Sequence, residues 1–137
     1  MLQGKCTCGE VRFGVADEFA YAGYCHCSQC RAASGSAFSA FGGIEKAKLE
    51  ITNGPHNIAI YVKSPDNIRN FCKLCGSPLF AIVRESRYAH VQLGALIDEP
   101  SIRPMFHIFV GSKAPWHQIA DDLPQFDEYA PLTPKAG

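Results

Sequence analysis

The sequence predicts a mainly β fold, a compact set of short strands wrapped into several sheets around one core, with one or two short helices. Three observations carry that expectation. Apolar residues recur with a period of two over short runs. Twelve glycines and nine prolines are spread along the chain, where they break those runs with turns. No stretch of about 12 residues or more keeps a helical period.

Taken in order, the first strand spans Glu10 to Val15. Val11, Phe13 and Val15 share one face, while Glu10 and Arg12 take the other. Phe19 to Tyr24 reads as a second strand that leads into a group of cysteines. Ser28 to Ser34 reads as a short helix, capped by Ser28 and ended by Gly35. Ser36 to Phe41 is strand-like. Leu49 to Thr52 is a short strand closed by the turn pair Asn53-Gly54. Ile58, Ile60 and Val62 alternate, Ser64-Pro65-Asp66-Asn67 turns the chain, and Ile68 to Phe71 returns, which predicts a hairpin. Pro78 to Arg84 and Tyr88 to Leu93 make another pair, and Met105 to Val110 a last strand. From about residue 121 onward, Pro124, Pro131 and Pro134 predict an irregular tail. The whole chain, 1–137, is expected to be a single domain.

Composition narrows the function classes. A chain of 137 residues, 47% hydrophobic and 19% charged, has the makeup of a globular domain with a real core. Thirteen basic residues balance thirteen acidic ones, so charge gives no case for nucleic acid or a membrane surface. No apolar run approaches the roughly 20 residues of a membrane span. The opening Met-Leu-Gln-Gly-Lys-Cys does not read as a signal peptide, so a cytoplasmic location is the default expectation. The oligomeric state is not legible. In a reducing compartment, clustered cysteines point to metal or to catalysis more than to disulfides. Seven cysteines also cannot all pair internally.

The cysteines fall into three clusters: Cys6-Thr7-Cys8-Gly9, Cys25-His26-Cys27-Ser28-Gln29-Cys30 and Cys72-Lys73-Leu74-Cys75-Gly76. Cys72 and Cys75, three apart at a tight turn, can place both sulfurs on one tetrahedral ion. Gly76 suits such a turn because it tolerates positive φ. Cys6 and Cys8, two apart on extended chain, point the same way and supply the other half. A Zn²⁺ site of this kind can contribute roughly 10–16 kcal/mol to folding. Cys25, Cys27 and Cys30 are then left as a group of three. Three protein ligands and one vacancy form the pattern of a catalytic zinc. A histidine from elsewhere could instead close the triplet into a second structural site. Zinc with three thiolates carries a formal charge of about −1, which suits a soft sulfur ligand better than activation of water.

These blocks resemble the glutathione-dependent formaldehyde-activating family, whose domain also occurs in centromere protein V. Gly4-Lys5-Cys6-Thr7-Cys8-Gly9-Glu10-Val11 is similar to the family's opening. Cys25-His26-Cys27-Ser28-Gln29-Cys30-Arg31 with Gly35 is similar to its central motif, and Phe71 to Leu79 to its third. The resemblance covers about residues 4 to 117. It implies two zinc ions per chain, a structural one on Cys6, Cys8, Cys72 and Cys75 and a catalytic one on Cys25, Cys27 and Cys30. It also implies glutathione as the small-molecule partner and a carbon–sulfur lyase activity that forms S-hydroxymethylglutathione. Arg31 follows the open triplet, where it meets either a carboxylate of such a substrate or solvent alone.

The resulting expectation is a zinc-dependent carbon–sulfur lyase acting on glutathione or a related thiol–aldehyde adduct. The alternative is a non-catalytic zinc module that binds a protein partner or senses thiols. Among the other candidates, His26 is expected to take an outer-shell or surface role, its side chain turned from the sulfurs beside it. His107 and His117 are expected to be packed or at the surface. Trp116, Phe38 and Phe41 are expected in the core, with a pocket wall as the other reading of each.

Overall fold

The computed structural model describes residues 1–131. Its strands are β1 (Leu2–Lys5), β2 (Arg12–Val15), β3 (Tyr21–Cys25), β4 (Ser39–Glu45), β5 (Leu49–Asn53), β6 (Ile58–Ser64), β7 (Asn67–Cys72), β8 (Pro78–Val83), β9 (Tyr88–Gln92) and β10 (His107–Ile108). One helix, α1 (Ser28–Ser34), lies between β3 and β4. The strands form a three-stranded sheet, β1-β2-β5, and a seven-stranded sheet, β10-β3-β4-β9-β8-β7-β6. All neighbours are antiparallel except β10, which runs parallel to β3. The mainly β, multi-sheet class read from the sequence is therefore the fold observed.

The main core lies between the two sheets. Val11, Phe13 and Val15, the inner face predicted for the strand from Glu10 to Val15, are fully buried. They pack with Ile44, Leu79, Phe80, Ala89 and Val91 of the larger sheet. Phe13 meets Phe80 edge to face at 6.2 Å. Cys6 and Cys72 belong to the same cluster. A second cluster covers the opposite face of the larger sheet: Tyr21, Cys25, Phe41, Phe106, Ile108 and Ala130.

One row of residues crosses that second face. Tyr21, Gly43, His90, Ala81, Arg69 and Tyr61 are successive cross-strand partners on β3, β4, β9, β8, β7 and β6. Side chains on one row of a sheet share a face, so this row forms a floor.

Several expectations need correction. β1 has no counterpart in the sequence reading. It is a four-residue strand whose pairing with β2 is what makes it a strand at all. β4 starts at Ser39 and runs on to Glu45. The expected strand from Met105 to Val110 shrinks to two residues, because Phe109 adopts φ 55° and turns the chain away. Trp116 is 70% exposed and not in the core. The tail from residue 121 is irregular but held down. His107 N–H donates to Pro124 O at 2.9 Å, Phe126 N–H to His107 O at 2.9 Å and Val110 N–H to Phe126 O at 3.0 Å. Pro134 lies outside the described residues.

Candidate metal centres and their cleft

Two groups of cysteine sulfurs come together among the described residues. Cys6, Cys8, Cys72 and Cys75 form one, and Cys25, Cys27 and Cys30 the other; within each group all sulfurs lie within 4.8 Å of one another. None of the seven cysteines is in a disulfide.

The quartet is built by two similar turns, one after β1 and one after β7. Each places a glycine directly after its second cysteine, and Gly9 and Gly76 both adopt φ 81°. No neighbouring atom would crowd a Cβ at Gly76. The backbone dihedral, which L side chains rarely adopt, is what selects glycine there. Gly9 N–H donates to Cys6 O at 3.1 Å, and Gly76 N–H to Cys72 O at 2.8 Å. The Sγ atoms of Cys6 and Cys8 lie 3.6 Å apart, and those of Cys8 and Cys72 3.8 Å apart. Zinc–sulfur bonds of about 2.3 Å in a tetrahedron put sulfurs about 3.8 Å apart, so the quartet has the spacing of a tetrahedral ion. The surroundings suit thiolates too. Val11 N–H donates to Cys6 Sγ at 3.3 Å. The Ser77 hydroxyl, 3.3 Å from Cys75 Sγ, joins backbone N–H groups in holding that thiol down at about 5. Ser77 Oγ also accepts the Thr7 N–H at 2.9 Å, which ties the two turns together.

The triplet sits where β3 runs into α1. Cys25 ends the strand, Cys27 caps the helix and Cys30 lies in its first turn. The cap is Cys27 and not the expected Ser28. Its sulfur accepts the Cys30 N–H at 3.2 Å, a thiol doing what a hydroxyl does at other helix starts. Gly35 ends the helix at φ 64°, as the sequence predicts. Within the triplet the thiols share protons unequally. Cys27 is held low by accepting from Cys25 and Cys30, and Cys25 is pushed up as the donor. Such a mutually bonded trio of soft donors fits a metal ion of zinc's chemistry.

The triplet faces a cleft. A cleft of about 370 Å³ is lined by Cys25, Cys27 and Cys30 at one end. It continues over the floor row, past His90, Arg69 and Tyr61, with Phe41 and Phe71 along it. No cysteine of the quartet lines it. The cations that reach it are Lys63 and Arg69, and no lining residue is acidic.

Arg31 is engaged elsewhere. Its Nε donates to His26 O at 3.4 Å and its Nη2 to Ser112 O at 3.1 Å, and it does not line the cleft. Phe41 is core and cleft wall at once. His26 and His107 are buried, with Nε2 of the first 2.8 Å from Nδ1 of the second. Of the two roles expected for His26, the surface one is excluded. Lys63, Arg69, His90 and Tyr129 were not singled out from sequence. Each sits in an ordinary strand or tail, and only cross-strand register and tail packing bring them to one cavity.

The geometry can be set beside known proteins. The family described as glutathione-dependent formaldehyde-activating enzyme matches residues 1–112. A Halomonas elongata protein named for that activity is 30% identical over 129 residues, covering 87% of this chain and 81% of its own. A Colletotrichum graminicola protein of the same name is 27% identical over 118 residues, where the chain spans 60% of that protein's length. A lyase of Schizosaccharomyces pombe is 31% identical over 78 residues, covering 57% of this chain and 55% of its own. A crystal structure of a Rhodobacter sphaeroides protein shares the fold at a TM-score of 0.59 and 24% identity, covering 74% of this chain and 91% of its own. With the family match running through all three cysteine clusters, the chain belongs to the glutathione-dependent formaldehyde-activating enzyme family.

Proposed function

We propose that the protein is a zinc-dependent carbon–sulfur lyase whose substrate is glutathione or a closely related thiol–aldehyde adduct. The observation that carries this reading is the asymmetry between the cysteine groups. Four sulfurs gather at one point and none of them lines the cleft, while three open onto that cleft, which bears two cations. Cys6, Cys8, Cys72 and Cys75 would hold a structural zinc, and Cys25, Cys27 and Cys30 a second one. Zinc bound at the open site supplies a soft cation that favours a substrate thiol as its thiolate.

The chain's own groups do the rest. Arg69 and Lys63 line the cleft and are the cations that would pair with the two carboxylates of glutathione; Arg69 Nη1 donates to Gln29 O at 3.2 Å, which leaves the other N–H groups of its guanidinium for a carboxylate. Phe41 and Phe71 give the cleft apolar walls. In the overall reaction the thiol adds across the C=O of formaldehyde. A sulfur–carbon bond forms, the carbonyl π bond breaks, and the thiol proton ends on oxygen; the reverse is the lyase direction.

The test is metal counting followed by a calorimetric titration with glutathione. Two zinc ions per chain, with binding abolished by Cys27→Ser and weakened about tenfold or more by Arg69→Gln, is the expected result. One zinc per chain would overturn the partition. Two zinc ions with no affinity for glutathione or any small thiol would favour a module that binds a protein partner.

A further inference from the structure

The residue between the two ligand cysteines is anchored from behind. His26 is fully buried, and each of its polar atoms but one is engaged. Its N–H donates to Ile108 O at 3.0 Å, and its carbonyl accepts Arg31 Nε–H at 3.4 Å. Its Nε2 lies 2.8 Å from His107 Nδ1. His107 is buried in turn, and its Nε2 is 3.0 Å from both carboxylate oxygens of Asp121. Asp121 Oδ1 also accepts the Leu123 N–H at 3.0 Å.

For neutral imidazoles, this line sets where the protons sit. A carboxylate only accepts, so His107 Nε2 carries the hydrogen. With both rings neutral, His107 Nδ1 accepts and His26 Nε2 donates. His26 Nδ1 is then a bare lone pair, and it is the one buried atom of the ring without a partner. The rings are also held by aromatic contacts: Tyr24 stacks on His107 at 5.0 Å, and Phe38 lies tilted against His26 at 5.5 Å.

None of His26, His107 and Asp121 lines the cleft, so none of them touches a substrate there. Their leverage is mechanical. On extended chain, residues 25 and 27 point to one side and residue 26 to the other. Rotating residue 26 therefore swings both sulfurs at once. We propose that Asp121, His107 and His26, with Arg31 on the carbonyl, form a positioning line that fixes the sulfurs of Cys25 and Cys27 for the open metal site. The inference rests on the reading that this triplet holds zinc. Outer contacts that orient metal ligands are commonly worth ten- to a hundredfold in metal affinity.

The test uses the full-length, zinc-loaded protein and measures zinc retention at each site by chelator competition. His107→Phe keeps the ring shape but removes the acceptor, and Asp121→Ala removes the end of the line. Both should weaken the open site by about tenfold or more and leave the quartet site unchanged. His107→Asn, whose Oδ1 takes the place of Nδ1 and can still accept from His26, should restore most of the affinity. Long-range ¹H–¹⁵N spectra of wild type should show His26 as the Nε2–H tautomer. Unchanged retention in His107→Phe, or equal loss from both sites, would overturn the inference. If His107→Phe fails to fold, the half-exposed Asp121→Ala variant decides alone. Wild-type protein with zinc only on the quartet would overturn the proposed function and this inference together, which separates that failure from the others.

Discussion

Gly43 has no side chain because Tyr21 passes over it. A Cβ there would lie 2.2 Å from Tyr21 Cζ, well inside contact distance. Crossing that gap lets the Tyr21 hydroxyl reach His90 Nε2 on the next strand at 2.6 Å. Burial pushes the Tyr21 phenol up to about 12 and the His90 imidazole down to about 4, so the neutral phenol donates and the neutral ring accepts. Gly43→Ala should displace Tyr21 and cost about 1–3 kcal/mol in a urea unfolding experiment. His90 also predicts a pH dependence. Its folded pKa lies below its unfolded value of about 6.5, so the unfolded chain binds the extra proton between about pH 6.5 and pH 4. Stability should therefore fall as pH drops through that window, by about 3 kcal/mol from this group, and level off below it. Unfolding measured at a series of pH values checks this, with His90→Gln giving the flatter profile.

At the scale of elements, sequence reading succeeded where the signal is local. The helix from Ser28 to Ser34, its glycine stop and the hairpins of β6–β7 and β8–β9 all follow from alternation and turn residues within a few positions. The cysteine quartet was legible for the same reason, since each half is a short turn with its own glycine. What escaped had too little local signal or depends on pairing across long sequence separations. β1 is only four residues and is a strand through its pairing with nearby β2, whereas the cleft floor exists through the register of six strands, with β4 and β9 joined from Gly43 to His90. The tail shows the same limit. Its prolines predict irregularity, but nothing local says that Phe126 and Val110 exchange contacts or that Tyr129 reaches the cleft. Ending the chain at Asp122 would strip the cover from Phe106 and Ile108 and remove Tyr129 from the cavity. The expected outcome is a loss of about 2–4 kcal/mol, seen as a lower melting temperature, together with weaker thiol binding.

For the whole molecule, the decisive feature is that the two cysteine groups stand in different mechanical positions. The quartet takes Cys6 and Cys8 from the connection that follows β1 in the small sheet, and Cys72 and Cys75 from the end of β7 and the turn into β8 in the large one. A metal there clips one sheet to the other, and two of its ligands, Cys6 and Cys72, are part of the shared core. The triplet belongs to a single stretch of chain at the edge of a cleft, where β3, β4 and β10 already hold the backbone by their own hydrogen bonds. Losing the clip should therefore cost far more than losing the open site. A structural zinc can supply roughly 10–16 kcal/mol, against a net stability of about 5–15 kcal/mol for a domain. Cys72→Ser should leave the protein unfolded or close to it at room temperature. Cys27→Ser should retain the folded circular dichroism spectrum and melt within a few degrees of wild type, with one zinc per chain in place of two. Circular dichroism melts run beside metal counts on the same samples decide the matter. Equal destabilisation by the two variants would make the open site structural as well, and a folded Cys72→Ser protein would remove the clip from the account.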